Sequence, residues 1–180
     1  MNDTQLKIQT TGRRASILFR AGSLLSGAVA ALALTAICIL LFSGQETRSS
    51  FLSAFDVTAN NGTVIRIAPW SLLLLFGFML AESGLITFIL FFVYSIFRNI
   101  AANGLPFSRP NALLIRKTAV ISLLLGLLGS CSDALVDHYT IGAPSWNVNL
   151  MGLFMGIILY CLSLIFEYGC DLQQLSDETL

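Results

Sequence analysis

The stretch FRNIAANGLPFSRPNALLIRKTA, residues 97–119, lies between two long apolar runs, and its reading decides the fold. Asn103-Gly104 is a helix stop, because glycine enters the left-handed conformation that ends a helix at little steric cost, and Pro106 prevents the helix from resuming at once. Ser108 is placed to cap a second helix, whose first turn accepts Pro110 because the missing N–H has no partner there in any case. Residues 103–108 therefore form a tight connector between two antiparallel helices. Arg98, Arg109, Arg116 and Lys117 surround that turn with positive charge.

Outward from the connector the chain is oily. Of 180 residues 56% are hydrophobic and only 11% charged, with a mean hydropathy of +0.80. Soluble domains carry roughly a quarter charged residues, so this is a membrane composition. A hydrocarbon core about 30 Å thick needs roughly 20 apolar residues in a helix, and four runs reach that length. They cover residues 21–43, 67–97, 118–136 and 148–166, interrupted only by Glu82 and Asp133. Backbone groups facing lipid must be bonded internally, so each run is expected to be a helix. The fold class expected is all-α: one polytopic membrane domain over residues 1–180, an antiparallel four-transmembrane-helix bundle. Its helices are placed at about residues 16–43, 69–102, 109–138 and 147–170, with a first loop at 44–68 and a tail at 171–180.

The first run follows Arg13, Arg14 and Arg20, as a signal peptide would, but it exceeds the 7–15 apolar residues of a cleavable leader and reads as an uncleaved anchor. Lys and Arg in short loops stay on the cytoplasmic side. Lys7, Arg13, Arg14 and Arg20 precede the first helix and four basic residues surround the connector, whereas the first loop has only Arg48 and Arg66 and the third has none. Both termini and the connector are therefore expected in the cytoplasm. In the first loop, FDVTANNGTVIRIAP (55–69) alternates β-branched and polar residues around Asn60-Asn61-Gly62, which predicts a small extracytoplasmic β-hairpin. Trp70, Tyr139 and Trp146 suit the aromatic belt at the outer interface.

Few residues in the spans could carry chemistry. Glu82 lies about 18 Å along its helix from Trp70, near mid-membrane, where an acidic side chain costs on the order of 3 kcal/mol. It reads as a proton or cation site, or as a neutral carboxyl hydrogen-bonded to a facing helix through Thr35, Ser122 or Ser130; the second is the plainer reading. Asp133 and Asp137 stand four apart on one helix face with His138 beside them. Two carboxylates and one imidazole without a motif form a weak cation signal, and a hydrated cluster near the outer surface is the expected state. Cys38, Cys131, Cys161 and Cys170 include no C-x-x-C pair and read as small hydrophobes, with no disulfide expected. Stripes of small residues at Gly22, Ser26 and Ala30, at Ser122, Gly126 and Ser130, and at Gly152 and Gly156 allow close helix approach, within one bundle rather than in a homo-oligomer, although the latter is also open to them.

Two signatures, NGLPFSRPNALLIRKTA (103–119) and IFEYGCDLQQLSDETL (165–180), make the chain resemble the bacterial domain-of-unknown-function 2975 family of small four-pass membrane proteins. The inner-loop signature is carried by Gly104, Pro106, Phe107, Asn111, Arg116 and Lys117. The tail signature is carried by Phe166, Gly169, Leu172, Gln173, Asp177 and Thr179. Gln174 and Leu175 stand where that pattern has consecutive acidic residues. The resemblance implies a bacterial plasma-membrane location and association with a small helix-turn-helix regulator, and it implies no catalytic activity.

The residues themselves offer no paired nucleophile and base, metal motif or phosphate-binding glycine loop, so neither enzyme activity nor a cofactor is expected. The tail has Glu167, Asp171, Asp177 and Glu178 and no basic residue, so it could dock on the basic connector or on a cytoplasmic protein. Anionic lipid headgroups compete for the same basic residues at about 1 kcal/mol each. A regulatory, sensing or protective membrane protein is the leading expectation, with the bilayer and a cytoplasmic protein as partners and no direct nucleic-acid contact. An ion- or proton-coupled component using Glu82 is the alternative.

Overall fold

The computed structural model describes residues 3–58, 64–65, 68–104, 106–141 and 148–178. Helices dominate: α1 (Asp3–Phe42), α2 (Gln45–Ser53), α3 (Pro69–Asn103), α4 (Arg109–Ile141) and α5 (Leu150–Glu178). Four of them, α1, α3, α4 and α5, are long and apolar enough to cross a membrane.

Each long helix outruns the hydrocarbon. The 40 residues of α1 extend about 60 Å at 1.5 Å per residue, twice the thickness of a bilayer core. It begins at Asp3 rather than near residue 16, and its polar first turns lie along α3: a Cβ on Gly12 would stand 3.2 Å from the Phe97 carbonyl oxygen, and Phe19 stacks on Phe97 at 5.4 Å between ring centroids. Likewise α5 continues through Glu178, so residues 171–178 of the expected tail are helix. Both extensions lie beyond the apolar runs, at the end of the molecule that holds the α3–α4 turn.

The ends of the helices follow local rules. Pro69 occupies the first turn of α3, where its missing N–H breaks no bond. At the other end Gly104 has φ +67° and its N–H reaches the Ile100 carbonyl at 2.8 Å. This is the left-handed stop expected there. For α4 the Ser108 carbonyl accepts the Ala112 N–H at 3.0 Å, and for α5 the Asn149 Oδ1 accepts the Gly152 N–H at 3.1 Å.

The first loop departs from expectation. It is built on α2, held to α3 by an aromatic cluster in which Phe51 and Phe55 lie 6.1 and 5.6 Å from Phe76. Beyond α2, Val57 pairs with Ile65 and Thr58 with Val64 in antiparallel register. Two residue pairs make no sheet with stability of its own, and the expected turn at Asn60-Asn61-Gly62 lies outside the described residues. The architecture is accordingly all-helical, and the hairpin is not an element of it.

Packing follows chain order. Among the described residues α1 packs on α3, α3 on α4 and α4 on α5, and no other pair of long helices packs extensively. The expected bundle is thus an open row of antiparallel helices, with α1 and α5 at its edges. Its buried apolar residues are mostly small, namely Ala33, Ala36, Ala112, Ala119 and Ala134 with three larger side chains, while Leu24, Leu25, Leu32, Phe154 and Ile165 point outward. Lipid tails solvate leucine as well as a protein core does, so seams are closed by residues that let backbones approach. Gly22 meets Leu90, Ser26 donates to the Ser83 carbonyl at 3.0 Å, and Gly126 meets Gly152.

The α4–α5 crossing is the tightest of these seams. A Cβ on Gly152 would stand 2.7 Å from the Gly126 Cα, and one on Gly156 would stand 2.6 Å from the Leu123 Cγ. Gly152→Leu should destabilise the detergent-solubilised protein by about 1–3 kcal/mol through overpacking. Gly77→Ala, where the new carbon meets nothing within 4 Å, should leave the thermal midpoint unchanged or slightly raised. Equal midpoints for the two variants would contradict the tight crossing.

Candidate functional site at the turn end of α4 and α5

The connector is locked from within. Asn111, fully buried on the first turns of α4, donates from Nδ2 to the Pro106 carbonyl at 3.1 Å. Its Oδ1 accepts from the Asn99 Nδ2 of α3, also at 3.1 Å. One amide side chain therefore joins both helices to the turn between them. This explains why an asparagine stands in the inner-loop signature, and Asn99 is a partner that the sequence reading did not single out.

With its backbone held, the turn projects Phe107 onto α5. The Phe107 and Phe166 rings lie 5.0 Å apart between centroids, tilted by 46°. The ring's edge rests on Gly169, where a Cβ would stand 2.8 Å from the Phe107 Cδ1. The two signatures, some sixty residues apart in the chain, thus meet through Phe107, Phe166 and Gly169. Two polar contacts flank the aromatic one. Arg109 Nη2 lies 3.3 Å from Asp171 Oδ1 with both side chains more than half exposed, and Arg116 donates to the Tyr160 hydroxyl at 3.2 Å while its guanidinium stands 5.4 Å from that ring's centroid. Tyr160 was invisible to the sequence reading because it sits within an apolar run. Lys117 is exposed and takes part in no ion pair among the described residues.

Two hollows border this contact. A small one of about 120 Å³ lies between α4 and α5, with Arg109, Arg116, Ser163 and Glu167 in its wall. A wider one of about 430 Å³ opens between the turn and the last turns of α5, lined by Phe107, Ser108, Cys170, Gln173, Gln174 and Glu178. Of the tail signature, Gln173 lines this hollow and Leu172 is half exposed. Asp177 lies on α5 but its side chain, like Thr179 as a whole, is outside the described residues.

The other candidates are not drawn into this site. The Glu82 Oε1 is buried and accepts no hydrogen bond, so the expected bond from Thr35, Ser122 or Ser130 is not made to that atom. The Thr35 hydroxyl instead binds the Leu32 carbonyl of its own helix at 2.7 Å. Ser130 donates to the Gly126 carbonyl and accepts from the Asn149 N–H. Asp133 and His138 are exposed and Asp137 half-buried on the last turns of α4, at the opposite end from the connector. No group of three His, Cys, Asp or Glu side chains among the described residues is arranged to hold a metal ion. All four cysteines are free, and Cys38, Cys131 and Cys161 lie on the outer surface of the row of helices rather than inside it.

Comparison of the chain with protein-family models, with curated proteins and with solved structures finds no match. The site is therefore read from its own geometry.

Removing the amide of Asn111 leaves the Asn99 donor and the Pro106 carbonyl without their buried partner. Asn111→Ala should lower stability by about 1–3 kcal/mol, the cost of leaving such groups unpaired. Arg109→Ala, at an exposed ion pair, should cost no more than about 1 kcal/mol. Chemical unfolding in detergent measures both. An Arg109 effect larger than that of Asn111 would contradict this ranking.

Proposed function

We propose that the protein is a non-enzymatic, multi-pass component of a bacterial plasma membrane with a regulatory, sensing or protective role. In this reading the N-terminus, the α3–α4 turn and the end of α5 face the cytoplasm, and the turn and α5 together form the surface that a cytoplasmic protein recognises. The single observation carrying it is the meeting of Phe107 with Phe166 and Gly169, which makes one composite surface from two separate signatures. The excess of Lys and Arg at that end supports the orientation.

The surface has the character of a reversible docking site. The Arg109–Asp171 pair is exposed and contributes about 0–1 kcal/mol at most, so a partner bearing its own carboxylate or guanidinium could exchange with either side at little cost. The hollow beside it offers the Phe107 ring together with the polar side chains of Gln173 and Gln174. A small helix-turn-helix regulator is the class of partner that the resemblance to the domain-of-unknown-function 2975 family brings with it, and that membership is part of the proposal. Nucleic acid would then be reached through the partner, not by this chain.

A second reading rests on Glu82, whose buried Oε1 lacks a hydrogen-bond donor. An unpaired carboxyl oxygen in an apolar span is a place where a proton or a cation could be accepted. It comes second because, among the described residues, no hydrogen bond or ion pair joins Glu82 to a second titratable group.

A photo-crosslinking amino acid at Gln173 should capture a cytoplasmic protein in cells of the native host, and the crosslink should vanish with Gly169→Leu, which displaces Phe107, while the variant still inserts in the membrane. Capture that persists in Gly169→Leu would count against the composite surface. For the second reading, proteoliposomes should show a proton flux that Glu82→Gln abolishes; equal flux in both removes it.

A further inference from the structure

A groove between α3 and α4, which meets the α4–α5 hollow at Leu113 and Arg116, is used by neither reading. It runs along the α3–α4 seam, encloses about 480 Å³, and is lined by Phe92, Leu113, Arg116, Lys117, Val120 and Ile121. Its chemistry is divided along its length. Val120 and Ile121 lie beyond Thr118, within the run expected in hydrocarbon, and Phe92 belongs to the matching run of α3. Arg116 and Lys117 stand one turn closer to the connector, where each apolar run gives way to charge. A groove with hydrocarbon walls and a cationic rim at the membrane boundary fits an amphiphile with an acyl chain and a negative head.

We propose that this seam binds one anionic phospholipid, with its acyl chain along Phe92, Val120 and Ile121 and its phosphate against Lys117, assisted by Arg116. Charge complementarity selects the head. No acidic side chain lines the groove, Lys117 has no ion pair among the described residues, and its ammonium can reach the headgroup layer on its own methylene stem. The Arg116 guanidinium is held by Tyr160 from the α5 side, so it is oriented before a lipid arrives and less side-chain entropy is lost on binding. A soluble anion would leave the apolar wall uncovered, and a zwitterionic lipid would set its own cation against two others.

The site shares Leu113 and Arg116 with the hollow between α4 and α5, but it uses neither the Phe107 contact nor Gln173 and requires only that the basic residues lie at a membrane interface. The full chain in a neutral detergent should show a saturable rise in melting temperature with phosphatidylglycerol, and a much smaller one with phosphatidylcholine of the same acyl chains. Lys117→Gln should weaken the apparent affinity for phosphatidylglycerol about fivefold, the loss of one basic contact at a membrane surface. Val120→Trp, a change at a half-exposed position, should fill the groove and remove the response by another route. Arg14→Gln, an exposed basic residue on α1, should leave it unchanged. Equal stabilisation by phosphatidylcholine or by inorganic phosphate would overturn the proposal, as would losses of the same size in Lys117→Gln and Arg14→Gln, which would mean diffuse attraction without a site.

Discussion

Close approach of helix backbones across small residues is the constraint on which the molecule depends. In water a leucine gains by leaving solvent, and cores are built from large apolar side chains; in a bilayer that gain is spent once the helix is inserted. What remains is contact between surfaces that fit. Gly126 against Gly152 brings α4 and α5 together closely enough that residue 152 has no room for a methyl group and residue 126 very little. The seam between α1 and α3 uses Gly12 and Ser26 in the same way. The largest side chains are left outside to meet lipid, which inverts the usual relation between residue size and burial.

A row of helices joined only to chain neighbours follows from the same constraint. Closing α1 onto α5 would require a further small-residue stripe on each, and α5 has already used Gly152 and Gly156 against α4. The outward side of α5 presents Met151, Phe154, Ile158, Ile165 and Tyr168, bulky residues suited to lipid and unsuited to close backbone contact. Three side-chain contacts, Asn99 with Asn111, Arg109 with Asp171 and Arg116 with Tyr160, cluster toward the end that holds the α3–α4 turn. The row is thus stitched by packing along its length, with single hydrogen bonds from Ser26 to Ser83 and from Asn149 to Ser130, and by a cluster of side-chain contacts toward the connector end.

The parts of this arrangement legible in the sequence are those with a local cause. Four apolar runs of sufficient length give the four long helices, and Asn103-Gly104 gives the left-handed stop, because each effect is set within a few residues. The extension of α1 back to Asp3 was not legible, since residues 3–15 carry no apolar stripe and the close approach of Gly12 to Phe97 and Ala101 of α3 is a tertiary contact. The helix from Gln45 to Ser53 was overlooked for a similar reason: Phe51 and Phe55 are four apart, but the loop around them is dominated by turn-forming residues. Glu82 was legible as an anomaly and not as a contact, because whether a facing helix offers a donor depends on rotation about the helix axis, which a one-dimensional pattern of polar residues does not encode. Tyr160 and Asn99 looked unremarkable until their partners were known.

The aromatic contact at the turn links this architecture to a role. Phe107 can set its ring edge on α5 because residue 169 lacks a side chain, and the turn that carries it is held where Asn111 ties Pro106 to both helices. Two sequence-distant segments, 106–111 and 166–169, thus converge on one ring. The charged pair beside it is of another kind: exposed on both sides, it adds little to stability and can be remade. A surface whose shape is set by packing and whose charges are free to exchange keeps its form while its ionic contacts change. On the proposed reading, that combination is what lets a docking surface exchange one ionic contact for another without losing its shape.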